Sequence, residues 1–228
     1  MADYYMQTPG ILDYPHLFKP GRGGKYEATI LIEDKEETAR IMAAIKEAIR
    51  EGTTEGGKDA NGNPTPAPFA GHDPDDKTFL SRLILPLKNG DTDVFQRGAH
   101  KGELRKSVNP EFAGRFYVKA TRKDSPADTG RLLDLSNGEK DVNPQAGAFR
   151  SGDLVCGAFW FRPYSKDGDM GVQAYLSSMV KVKSGTLKTV TGETVYEPGS
   201  NDPFAGFNLP GMTDEAASDP FAGFGLDK

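Results

Sequence analysis

Residues 153–164, DLVCGAFWFRPY, form the longest uninterrupted run of strand-forming residues in the chain and hold its single tryptophan. Read with the two-residue period of a β-strand, Val155, Phe159 and Phe161 point one way and Trp160, Arg162 and Tyr164 the other. The first face is apolar core. The second sets two aromatic rings beside a guanidinium, a combination costly in an apolar core and well suited to stacking on planar, anionic ligands. The alternative is a second core built around Trp160, with the Tyr164 hydroxyl at the water boundary. The rest of the chain has to decide between them.

Of the 228 residues, 36% are hydrophobic and 27% charged, as in a soluble globular protein with one ordinary core or two small ones. The 27 glycines and 16 prolines exceed average usage and favour a β-rich fold with many turns. No run is long and apolar enough to cross a bilayer, and the opening MADYYMQTPG has neither a basic nor an apolar leader region. A cytoplasmic protein with no membrane partner is expected. The single cysteine, Cys156, excludes an internal disulfide, and His16, His72 and His100 stand at no zinc-ligand spacing. Neither metal nor cofactor is expected, and without a nucleophile–base pair, paired carboxylates or a cofactor fingerprint an enzyme ranks last.

Charge is unevenly divided. Residues 201–228 carry Asp202, Asp214, Glu215, Asp219 and Asp227 against Lys228, which is −4 of the total −5 and leaves −1 for residues 1–200. A near-neutral body still accommodates a basic groove, because polyanion binding depends on local clustering.

Along the chain, the aromatic cluster YPHLF at 14–18 leads into KPGRGGK at 19–25, which lacks the spacing and Ser/Thr of a phosphate loop and reads as a hairpin connection. Residues 26–32, YEATILI, follow as a strand with Tyr26, Ala28, Ile30 and Ile32 on one face. A helix is expected over 34–51, capped by Asp34 with Glu37 three residues on, carrying the core stripe Ile41, Ile45 and Ile49, stopped by Gly52 and lying across one end of the sheet. The Gly, Pro, Asn, Thr and Asp-rich stretch 52–77 reads as a long mobile loop, with His72, Asp73, Asp75 and Asp76 as solvated side chains rather than a metal site. Residues 82–87, RLILPL, read as a strand placed at an edge or bulge by Pro86, with a turn at Asn89 and Gly90. In 115–122, RFYVKATR, core positions Phe116, Val118 and Ala120 alternate with Arg115, Tyr117, Lys119 and Thr121. In 172–183 the core positions are Val172, Ala174 and Leu176, with Gln173 and Tyr175 outward and Lys181 and Lys183 further along. Three strands thus share one pattern of basic and aromatic residues opposite a core face. Five or six short antiparallel strands with one inserted helix fit a Greek-key barrel of the OB type; an immunoglobulin-like sandwich leaves the helix without a place.

YPHLF followed by GGKYEATILI, PLKNGD at 86–91, GRFYVKA at 114–120, FRSGDLVCG at 149–157 and GVQAYLSSMVKVKSG at 171–185 together resemble a single-stranded DNA-binding protein of tailed bacteriophages. The resemblance spans roughly 12–185, and the order and spacing of the motifs carry it. It implies an OB-fold body over 1–200 that coats single-stranded DNA without sequence preference in phage replication, recombination and repair, in the host cytoplasm, and an acidic tail over 201–228. Carried over by position, Trp160 and Arg162 fall where the family has outward polar or aromatic residues on the strand before its last; Trp160 itself and the 52–77 stretch depart from the family pattern. The candidate DNA-contacting set is Trp160, Arg162, Tyr164, Arg115, Tyr117, Lys119, Tyr175 and Lys181. The oligomeric state stays open, a homodimer included.

DPFAGF occurs at 202–207 and again at 219–224, so Asp202, Phe204, Phe207, Asp219, Phe221 and Phe224 recur in an acidic segment rich in Gly, Ala and Pro that is expected to be disordered. Phenylalanine beside aspartate in such a segment suits docking into an apolar pocket with a basic rim, and four phenylalanines make a poor solubilising tail. The segment also resembles the acidic tips of bacterial and phage single-stranded DNA-binding proteins, although it ends GLDK. The expected tail partners are replication or recombination proteins: a polymerase, a helicase or primase, or a nuclease. The competing function class is a phage assembly protein with a β-barrel body and peptide-like tail motifs that binds no nucleic acid.

Overall fold

The computed structural model describes residues 4–198 except 22, 59–61, 139, 191 and 192, and over 186–198 its backbone alone. In chain order the elements are β1 (Tyr4–Tyr5), β2 (Gly10–His16), β3 (Tyr26–Ile32), α1 (Lys35–Thr54), β4 (Gly57–Lys58), β5 (Pro64–Thr65), α2 (Lys77–Leu80) and β6 (Leu87–Asn89). There follow α3 (Arg105–Val108), a 3-10 turn (Pro110–Phe112), β7 (Phe116–Arg122), β8 (Leu132–Asp134), β9 (Leu154–Lys166), β10 (Asp169–Lys183), β11 (Gly185–Val190) and β12 (Glu193–Pro198).

The hairpin of β9 and β10 is the longest pairing. Its loop is Asp167–Gly168, with φ of 53° and 89°, the two positive values that a type I′ turn demands and that Asp-Gly adopts at low cost. From Lys166↔Asp169 the register runs through Arg162↔Gln173 and Trp160↔Tyr175 to Phe159↔Leu176, then shifts, so that Ser178 faces Ala158 and Lys181 faces Val155. Ser177 is thus an extra residue in β10, a β-bulge. Because side chains alternate, one inserted residue turns the remainder of the strand over. Val172, Ala174 and Leu176 are buried before the bulge, Met179, Lys181 and Lys183 after it. Arg122 braces the irregularity by donating from Nη1 to the carbonyls of Leu176 and Ser177, each at 3.2 Å.

β2 pairs with β3, β3 with β7, β7 in parallel with β10, β10 with β9, and β9 with β2, so the chain of pairings returns to its start. β1 adds beside β9, β8 runs parallel to β10, and β6 pairs with β7. Among the described residues the main sheet is mixed and has eight strands, where the sequence suggests five or six antiparallel ones. β1, β6 and β8 are two or three residues long, too short to show a period. The strand expected over 82–87 is displaced. β7 and β10 pair only at Ala120↔Ala174 and Thr121↔Tyr175 and then part, and the segment 84–89 fills the gap. Ile84 bonds both sides of Gly171, donating to Met170 and accepting from Val172, and the Pro86 carbonyl accepts from Lys119 N–H.

α1 packs its stripe of Ile41, Ile45 and Ile49 against the core beside β9, all three essentially inaccessible. Asp34 caps it, its carboxylate accepting from Glu37 N–H at 2.7 Å. Glu37 itself is fully buried and turned toward the N-terminal segment, accepting from Tyr4 Oη, the N–H groups of Gln7 and Thr8, and Arg40. Gly52 does not stop the helix, which continues to Thr54. Gly52 is instead a packing residue. A Cβ there would lie 2.6 Å from Cδ2 of Phe69 and 2.8 Å from Cβ of Pro163. Phe69 also changes the reading of 52–77: that stretch carries the β4–β5 hairpin and is pinned to the core by this fully buried ring, set edge-on to Phe79 at 5.4 Å.

Gly52→Ala separates the two roles by sign. Helix propensity alone predicts a gain of up to about 1 kcal/mol, whereas overpacking against Phe69 and Pro163 predicts a loss of about 1–3 kcal/mol. Chemical denaturation should show the loss, and a gain would contradict the packing role.

Candidate nucleic-acid interface

The inner face of the sheet is filled mainly by apolar side chains, so the candidate binding surface is the outer face. At one end that face is covered. Ile11, Leu31 and Tyr117 lie side by side across β2, β3 and β7 and form a second small core under Phe112, whose ring meets Tyr117 edge-on at 4.8 Å. The cover is the excursion from 91 to 115. Asp91 holds it by accepting from Lys106 Nζ (3.0 Å) and Gly114 N–H (3.1 Å), and Asp93 by accepting from Tyr117 Oη (2.6 Å), Arg105 Nε (2.8 Å) and Lys88 Nζ (3.0 Å). Burial opposes the Asp93 charge, but the hydrogen bonds from Tyr117 and Arg105 and the charge of Lys88 outweigh it and keep the carboxyl below the usual range. The same burial and bond push the Tyr117 hydroxyl up.

Where the cover ends, the outer face opens into a cleft of about 620 Å³. Arg105 and Phe112 of the cover form one wall, and Lys119, Thr121, Gln173 and Tyr164 continue it across β7, β10 and β9. Beyond Gln173 and Tyr164 the face carries Trp160 and Tyr175, cross-strand partners with ring centroids 5.5 Å apart. Arg162 lies 6.0 Å from the Trp160 ring, exposed and without an ion-pair partner among the described residues, opposite Gln173, whose Nε2 donates to Thr121 Oγ1 at 2.7 Å. Cleft and aromatic patch are therefore one continuous surface.

The structure divides the residues singled out from sequence. Trp160, Arg162, Tyr164, Tyr175 and Lys119 share this surface. Lys119 is half exposed and bridges to Glu27 at 2.8 Å. Tyr117 has the expected parity but is covered by Phe112, so its ring faces are not free for stacking. Arg115 is clipped to the Glu33 carboxylate (2.6 and 2.8 Å) and the Glu111 carbonyl (2.7 Å). Lys181 is on the other face: the Ser177 bulge turns it inward, where it pairs with Asp134 at 2.7 Å and donates to the Ala148 carbonyl. The tail residues Asp202, Phe204, Phe207, Asp219, Phe221 and Phe224 lie outside the described residues.

Tyr14, Lys88 and Arg105 also line the cleft and were not among the sequence candidates. Tyr14 sits in a bulge of β2 between Asp13 and His16 with φ of 43°, uncommon for a bulky residue, and its exposed ring is held by Asn109 Nδ2 donating to its hydroxyl at 2.5 Å. Behind it, burial and the neighbouring Glu111 push the Asp13 carboxyl up to about 6. The YPHLF cluster and the PLKNGD turn were visible signals for Tyr14 and Lys88; only the tertiary cover brings in Arg105.

Lys181→Ala leaves Asp134 buried without its partner and should cost about 3–5 kcal/mol in chemical denaturation. The double variant Lys181→Met with Asp134→Leu should recover much of that loss. A single-variant loss within experimental error of zero contradicts the buried-pair role.

No curated protein matches the chain. The family model described as "Enterobacter phage Enc34, ssDNA-binding protein" matches residues 11–197. Among solved structures, the bacteriophage Enc34 single-stranded DNA-binding protein in complex with ssDNA aligns with TM-score 0.51 at 21% identity, over 78% of this chain and 84% of that one. Its C-terminal truncation aligns with TM-score 0.50 at 22% identity, over 78% and 83%. Gp2.5, a single-stranded DNA-binding protein encoded by bacteriophage T7, aligns with TM-score 0.48 at 14% identity, over 83% and 91%. At these identities the two Enc34 structures establish a shared fold, and the family model covers most of the chain. The chain belongs to the family of phage single-stranded DNA-binding proteins represented by that of Enterobacter phage Enc34, a family of binding proteins rather than enzymes.

Proposed function

We propose that this protein binds single-stranded DNA without sequence preference, laying the strand over the outer face from Trp160 and Tyr175 into the cleft beside Lys119. The observation that carries this reading is the continuity of aromatic patch and cleft on one open sheet face. Bases stack on Trp160, Tyr175 and Tyr164, which accept any base because every base has a π-face. Arg162 and Lys119 neutralise phosphates, Lys119 by exchanging Glu27 for the DNA. Arg115 and Lys181, tied into ion pairs, drop out of the contact set. The closed series of pairings β2–β3–β7–β10–β9 fits an OB-type barrel, with residues 1–200 as its domain. In phage DNA replication, recombination and repair such a coating protein also needs partners, and the two DPFAGF copies of the acidic segment 201–228 are suited to docking a polymerase, a helicase or primase, or a nuclease.

Titration with oligo(dT) at several salt concentrations tests the binding face. Trp160→Ala should weaken binding by about 1–3 kcal/mol through lost stacking. Lys119→Ala should lower the slope of log affinity against log salt by about one unit. Unchanged affinity in the first variant and unchanged slope in the second contradict this face, and no binding by the unaltered protein would favour the assembly-protein reading.

The acidic segment supplies its own test. Carrying −4, it acts as a tethered competitor for the DNA site. Deletion of 201–228 should tighten oligo(dT) binding, most at low salt, and abolish capture of the replication partner. Changing Phe204 and Phe207 alone should leave weakened capture through Phe221 and Phe224. If the deletion alters neither low-salt affinity nor capture, the segment is only a spacer.

A further inference from the structure

The wall of the cleft formed by the 91–115 cover holds a guanidinium arranged for an anion. Arg105 is packed among three rings, with its guanidinium carbon 4.4 Å from the Phe95 centroid, 5.2 Å from Tyr117 and 5.3 Å from Phe112. Its Nε donates to Asp93, which is itself held by Tyr117 and Lys88. Of its five N–H donors, Nε goes to Asp93 and the neighbouring Tyr117 hydroxyl can accept one more, so the terminal nitrogens keep donors to spare. The side chain is 23% exposed and lines the cleft.

This is more than a structural ion pair requires. A guanidinium fixed by rings and by one Nε bond has already lost most of its rotamer freedom, so it forms further bonds at little entropic cost. The pair of terminal nitrogens matches the spacing of two phosphate oxygens. Lys88 lines the same cleft and shares the Asp93 carboxylate with Arg105; the lining sets Lys88, Arg105 and Lys119 against Glu27, with Asp13 near enough to feel the Arg105 charge. The rings exclude water from one side of the site, which strengthens a charge-assisted bond.

We propose that Arg105 is a bidentate phosphate-binding residue of the cleft, with Asp93 as its positioning residue. The ligand is a backbone phosphate of single-stranded nucleic acid, so the proposal rests on the DNA-binding reading and locates one of its contacts. It also reverses an electrostatic expectation. An acid beside a polyanion site ordinarily weakens binding, whereas neutralising Asp93 here releases the fork it holds.

Oligo(dT) titrations over a range of salt, read by Trp160 fluorescence on folded protein verified by circular dichroism, test this with three variants. Arg105→Lys keeps the charge and loses the fork; affinity should fall about tenfold with the salt slope unchanged. Arg105→Ala should lose more affinity and lower the slope by about one unit. Asp93→Asn should weaken binding although it removes a negative charge. Wild-type affinity in Arg105→Lys, or tighter binding in Asp93→Asn, overturns the proposal, and if Arg105→Ala does not fold these two variants decide. Absence of binding by the unaltered protein overturns the DNA-binding reading itself, which is distinct from the case where it binds and the Arg105 variants bind equally well.

Discussion

The two-residue turn at Asp167–Gly168 fixes the register of β9 against β10, and most of what the molecule presents follows from that register. It sets Trp160 opposite Tyr175 and Arg162 opposite Gln173 on the outer face, with Phe159, Phe161, Ala174 and Leu176 on the inner one. A slip of one residue would exchange the faces, burying Arg162 and exposing two phenylalanines. The bulge at Ser177 then makes such an exchange on purpose. Beyond it Lys181 reaches inward to Asp134 on the neighbouring β8, and the ion pair helps hold that short strand to the sheet. One strand thereby supplies an aromatic outer surface at one end and a buried polar clamp at the other, with Arg122 satisfying the carbonyls at the change-over.

The extent of the open face is decided by the 91–115 cover. Phe112 buries Tyr117, Leu31 and Ile11, and it stops short of Lys119 and Thr121. Aromatic residues of identical parity on neighbouring strands thus have opposite fates: Tyr117 is core, while Tyr175 and Trp160 remain partly accessible. The cover's own charges are arranged about Asp91, which ties Lys106 within the cover, and Asp93, which ties Arg105 and Lys88 at the cleft. Arg105 and Lys88 are thus ordered by an acid, an arrangement that would lower the entropy lost on binding a polyanion at the proposed site.

Much of the fold was legible in the residues. The alternation of β9, the capped helix with its isoleucine stripe and the hairpin around 19–25 all appear as the pattern predicts, because each rests on local period or capping chemistry. Other features depend on partners distant in sequence. The apolar parity shift from Leu176 to Met179 is visible in the sequence, but Val180 and Val182 continue the original parity and mask it. Gly52 has the sequence position of a helix stop, and only the approach of Phe69 and Pro163 identifies it as a packing residue. The face carrying Trp160 was readable from three strands with one pattern, whereas Arg105 lies in a segment without periodicity and enters the site through the folded cover. The Asp-Gly turn signal was present in the sequence, and it sets the register from which the site is built.

Ultraviolet cross-linking of the full-length protein to oligo(dT), with the linked peptides mapped by mass spectrometry, tests the central claim most directly. The outer-face assignment predicts linked residues among Tyr14, Trp160, Tyr164 and Tyr175. Cross-links confined to the opposite side of the sheet, around Phe149 and Lys181, would contradict it.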